Sequence, residues 1–165
     1  MSVNKDKYGE KFNEHLLEQY KLYVEMADRI SERRMQTNKF YISLLSGLLA
    51  LLSILVSMDK FFNQTVIFII VSLLGIALCI LWHINIRSYR QLNSGKFKVI
   101  HEMEQYLPFP CYDKEWELLG EGKEKSKYLQ LTRVEKYIPL ILSIPYIFLF
   151  LYTLASLLIS LIWKK

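Results

Sequence analysis

Hydrophobic positions in this chain fall into two patterns, unbroken runs and one-sided stripes. Three runs, 40–58, 65–86 and 138–163, contain no Lys, Arg, Asp or Glu. As helices rising about 1.5 Å per residue, each reaches across a hydrocarbon layer of roughly 30 Å. A helix that is apolar on every side needs lipid or the middle of a large protein around it, and 165 residues cannot bury three such helices. The pattern predicts an all-α, polytopic membrane protein with three transmembrane helices.

The stripes predict a helical layer outside the lipid. From 9 to 39, Phe12, Leu16, Tyr20, Tyr23, Val24, Ala27 and Ile30 recur at helical steps, giving an amphipathic helix with one apolar face. No Pro or Gly stands between Glu10 and Ser46, so this helix is expected to run on into the first span. The turn at 59–64 allows only a tight hairpin, which makes the first two spans antiparallel neighbours. Trp82 and His83 suit the interface at the end of the second span. The periodicity resumes with Ile86, Tyr89, Leu92, Phe97, Ile100, Met103 and Leu107, and Pro108 and Pro110 stop it. Beyond lie a short helix at 113–119 carrying Trp116, a charged turn at 120–123, and a helix at 126–137 with Tyr128, Leu131 and Val134 on one side. Pro139 fits a first helical turn, while Pro145 predicts a kink in the third span. The two stripes are expected to pack on one another. The chain thus divides into a cytoplasmic amphipathic helix (1–39), span one (40–58), an external turn (59–64), span two (65–86), a cytoplasmic helical segment (87–137), span three (138–163) and an external tail (164–165).

Charge fixes the expected orientation. The net charge of +5 and 21 Lys and Arg would suggest nucleic acid in a soluble protein. Here, however, 8 basic residues lie in 1–39 and 10 in 87–137, against 1 in the hairpin and 2 in the tail. Basic residues stay on the cytoplasmic side, so the N-terminus is expected inside and the C-terminus outside, with no nucleic-acid partner. No short apolar segment with a cleavage site precedes the first span, which should act as its own insertion signal. Cys79 and Cys111 cannot build a disulfide framework and read as inert thiols.

Chemistry is sparse. Spans associate through small residues, because Leu-rich surfaces gain little over lipid. The candidates for helix packing or oligomer contact are Ser46, Gly47, Ala50, Ser53 and Ser57 in the first span, and Ser72 and Gly75 in the second; Cys79, Thr153, Ser156 and Ser160 continue the series. Arg33, Arg34, Arg87 and Arg90, near His83 and Asn85, are candidates for anionic lipid headgroups. His101, Glu102 and Glu104 lack metal-ligand spacing and read as a solvated charged face, as do His15 and Glu18. Gly120, Glu121, Gly122 and Lys123 lack the spacing of a phosphate-binding loop. No catalytic, metal or cofactor site is expected.

The segment from Trp82 through Ile86, Tyr89, Leu92, Asn93, Lys96 and Phe97 to Ile100, Glu102, Glu104, Leu107 and Pro108 resembles the signature of the RipA family of small bacterial inner-membrane proteins. Glu115, Trp116, Tyr128, Thr132, Glu135, Ile138 and Pro139 match its later part. Tyr20, Tyr23, Ala27, Ile30, Arg33, Arg34 and Phe40 match its opening helix. The resemblance implies an octamer in the cytoplasmic membrane of a bacterium. A weaker similarity is to small two-span effectors of bacterial nucleotide-signalling defence systems, which share the order of cytoplasmic helix, membrane hairpin and helical tail.

The expectation is therefore a non-enzymatic, homo-oligomeric protein of the bacterial inner membrane in contact with its lipids, serving as a scaffold or sensor in envelope homeostasis or stress adaptation. The alternative is a pore-forming effector of a defence system, lined by the serines of the first span.

Overall fold

Two long helices dominate the chain because little in the sequence interrupts them. The computed structural model describes residues 8–57, 64–124, 126–129 and 131–163. The elements are α1 (Phe12–Ser57), α2 (Gln64–Glu104), α3 (Cys111–Leu118), a 3-10 turn (Gly120–Gly122), α4 (Leu131–Glu135) and α5 (Ile138–Trp163). No strand occurs among the described residues. Helix α1 runs unbroken for 46 residues and α2 for 41, the latter passing through Gly95. By length and composition, α1, α2 and the stretch Arg133–Trp163 that contains α5 can each cross a membrane. Most of the hairpin turn expected at 59–64, and the tail at 164–165, lie outside the described residues.

Local chemistry sets the ends. Past Glu104 the chain makes one more turn, with Tyr106 N–H on the Met103 carbonyl and Leu107 N–H on that of Glu104. Pro108 then forbids continuation. Pro110 precedes α3. At the 3-10 turn, Gly120, Glu121 and Gly122 hold φ of 67°, 52° and 66°. Glycine takes this left-handed region without strain, and Glu121 takes it beside an ion pair with Lys123.

The helix expected at 126–137 differs from the structure, which has only the five residues of α4, preceded by turns. The reason is burial. Tyr128, Leu129, Leu131 and Val134 are all exposed, so no packed apolar face stabilises a helix in this Lys-rich stretch.

The chain forms two compact units. The first comprises Met1–Arg34 and Ser88–Gln130; the second comprises Met35–Arg87 and Leu131–Lys165. In the first, Ala27, Ile30 and Ile100 are buried, as the two stripes require, and each large apolar side chain so covered stabilises by roughly 1.5–3 kcal/mol. In the second, Leu45, Cys79, Trp82, Ile86 and Tyr146 make one core cluster joining residues of α1, α2 and α5. Fourteen basic and fourteen acidic residues balance in the first unit, while the second holds seven basic and two acidic. The entire net positive charge therefore belongs to the unit with the apolar runs.

Candidate functional site

Each unit is organised around polar groups at its centre. In the first, the carboxylate of Glu104 is 1% exposed. Its Oε1 accepts from the Tyr20 hydroxyl at 2.8 Å and from the Tyr112 amide at 2.9 Å, and its Oε2 from the Asp113 amide at 3.0 Å. A buried carboxylate is tolerable only with such donors, and the two amides belong to the first turn of α3, where negative charge is favoured. One side chain thus ties α1, α2 and α3. Phe97 stacks edge-on against Tyr112, His101 lies 3.6 Å from Asp113, and Lys96 sits over the Tyr23 ring. Burial, and then the hydrogen bond to Glu104, push the Tyr20 phenol well above its ordinary range. Tyr112 is raised by burial and by the charges of Asp28 and Glu115.

This corrects the reading of Glu104 as part of a solvated face. Glu102 is exposed, but Glu104 lies four residues after Ile100 and seven after Phe97, on the apolar stripe itself. A charge on that period was the signal. Beside it, a groove of about 580 Å³ opens between α1 and α3, with Tyr20, Val24 and Tyr112 among its lining and Glu25, Asp28 and Glu115 adding negative charge.

Around the core cluster of the second unit the ties are neutral. The Tyr146 hydroxyl donates to the Leu45 carbonyl at 2.7 Å, and its ring lies flat against Gly75, where any Cβ would overlap the ring carbons. The Trp82 indole N–H donates to Asn38 Oδ1 at 2.8 Å. Tyr41 stacks on Trp82 at 5.6 Å, and Asn85 donates to the Tyr41 hydroxyl at 3.0 Å. His83 Nδ1 sits 3.3 Å from the Lys136 carbonyl oxygen, a bond that needs the proton on Nδ1. Trp82, expected at the interface, is completely buried within the unit. Asn85 stood in the polar cluster read from sequence, though its Tyr41 partner did not; Asn38, Tyr41 and Tyr146 were not singled out, since each matters through a partner on another helix.

The model of the octameric membrane protein family (8xMP) matches residues 17–155. The chain belongs to that family. No curated protein and no solved structure matches it. As an 8xMP member it is a membrane protein of an octameric family, and its small residues divide sharply in two. Ser72 and Gly75 are buried, with Ser72 Oγ on the Ile69 carbonyl. Ser46, Gly47, Ala50, Ser53 and Ser57 are all exposed on α1, and open space lies where a Cβ on Gly47 would stand. The hydroxyls of Ser53 and Ser57 bond back to the carbonyls of Leu49 and Ser53. Of the candidate arginines, Arg33, Arg34 and Arg90 belong to the first unit and Arg87 to the second.

Proposed function

We propose that this chain is a non-enzymatic scaffold or sensor of a bacterial inner membrane, working as a homo-octamer in envelope homeostasis or stress adaptation. The observation that carries the reading is the 8xMP match over most of the chain, joined to three helices long and apolar enough to span a membrane. What supports a non-catalytic role is where the buried polar groups are engaged. Glu104, Trp82 and Tyr146 hold helices together. The excess of Lys and Arg in 1–39 and 87–137 supports a cytoplasmic N-terminus and an external C-terminus. In this reading Arg33, Arg34, Arg87 and Arg90 meet anionic headgroups. The exposed small face of α1, with Ser46, Gly47, Ala50, Ser53 and Ser57, packs against another copy.

One observation favours a second reading, a pore. Ser46, Ser53 and Ser57 are exposed and offer hydroxyl oxygens along one helix. Vesicles containing the full chain and a membrane-potential dye separate the two. The scaffold reading expects an undisturbed potential; dissipation abolished by Ser53→Leu contradicts it and establishes the pore. A reporter enzyme fused to the C-terminus and active only outside the cytoplasm tests the orientation.

A further inference from the structure

We infer that one anionic phospholipid binds where α2 meets the turn between α4 and α5: Arg87 and Lys136 hold its phosphate, and its acyl chain lies along the exposed stripe of α5 that begins at Tyr137. This rests on the headgroup reading of Arg87 above and goes beyond it, to a second cation, a lipid class and a bed for the chain.

The headgroup end is assembled within the second unit. His83 Nδ1 sits 3.3 Å from the Lys136 carbonyl oxygen, so α2 touches the turn that follows α4. Arg87 stands one helical turn beyond His83 on the same face of α2, and it is exposed. Neither Arg87 nor Lys136 is in an ion pair among the described residues. Glu135, the only described acid of this unit, is buried, which leaves the corner positive. Cations that a fold brings to one corner repel until an anion joins them. A phosphate accepts from both, two-pronged from the guanidinium and as a point charge from the ammonium.

The apolar bed starts at the same place. Lys136 Nζ lies 4.7 Å from the centre of the Tyr137 ring, a cation–π contact. Tyr137, Ile141, Ile144 and Phe148 follow at steps of four, three and four, so they share one face, and all are exposed. From the first to the last, a helix rises about 16 Å, half of a hydrocarbon layer of roughly 30 Å and hence one leaflet. The stripe carries large side chains only. Spans meet through small residues, as at Gly75, so this face suits an acyl chain better than a second copy. A tyrosine at its head sits naturally at headgroup level. Positive charge followed by one leaflet of apolar surface is the complement of an anionic amphiphile.

The test uses the full chain, delipidated in mild detergent and given phosphatidylglycerol, phosphatidylcholine or soluble glycerol phosphate, with bound lipid read by native mass. The wild-type chain is expected to retain phosphatidylglycerol over phosphatidylcholine, and glycerol phosphate, which has no chain, displaces neither. Arg87→Gln with Lys136→Gln lowers that retention by roughly fivefold for each cation lost, and the charge-preserving Arg87→Lys with Lys136→Arg keeps most of it. Arg29→Gln, in the first unit, leaves it unchanged, and circular dichroism checks that every variant keeps its helices. A preference that survives the paired Gln variant but falls with Arg33→Gln, Arg34→Gln and Arg90→Gln overturns this corner while the headgroup reading stands. Equal retention of both lipids by the wild-type chain sinks both. Displacement by glycerol phosphate removes the acyl bed and overturns the proposal, as do Phe148→Cys copies that link to one another on oxidation, since a second copy then covers the stripe.

Discussion

The two units solve the same problem, how to fix three helical segments, with opposite chemistry. The first uses a buried charge, the Glu104 carboxylate with its three donors. The core cluster of the second is tied by neutral groups: phenol to carbonyl, indole to amide, amide to phenol. The difference follows from the surroundings each unit would unfold into. Water compensates a carboxylate in a loosened state, so a charge-assisted tie costs nothing prohibitive. Hydrocarbon compensates neither state well, so a charge among the spans would be expensive while a phenol is not. Packing follows the same split. The first unit closes over apolar area removed from water, whereas the second depends on close approach at a glycine.

Substitutions should therefore act differently in the two units, most strongly at the carboxylate. Glu104→Ala strands the Tyr20 hydroxyl and two α3 amides and is expected to destabilise the first unit by about 3–5 kcal/mol. Hydrogen exchange would show the loss at 12–30 and 111–118, with the apolar runs still protected; equal loss in both units would erase the distinction. Gly75→Ala comes next, at about 1–3 kcal/mol, because Tyr146 must leave its place. Gly47→Ala meets nothing within the protomer and should leave its fold unchanged, any cost arising in the packing of copies. Thermal unfolding in detergent compares the two glycines directly. Tyr146→Phe removes one neutral bond and should cost about 0.6 kcal/mol, in keeping with polar contacts between spans.

The contrast also has a pH arm, read here in the first unit. Tyr20 and Tyr112 have phenols raised above the unfolded value, so the fold favours their neutral forms. That stability is fully present below the ordinary phenol range and is lost as pH climbs through the raised values. Phenolate absorbance should show Tyr20 ionising late, with Tyr20→Phe deleting that late step; a titration in which nothing is missing contradicts the Glu104 contact.

The spans and stripes were legible because hydropathy and helical period are local properties of the chain. Gly75 was also visible as a small residue, though its partner was not. Tyr146 meets Leu45 across 101 positions and Tyr20 meets Glu104 across 84, and no period links residues so far apart. Glu104 was misread because its charge was weighed above its place on the stripe. The segment at 126–137 was overread as one helix because three apolar residues at helical spacing say nothing about whether a surface exists to receive them.

The most direct test of the account is the native mass of the full chain carried intact in lipid nanodiscs. It should return eight copies of a 19.6 kDa chain, while a single copy, or a mixture of sizes without a preferred number, would contradict it.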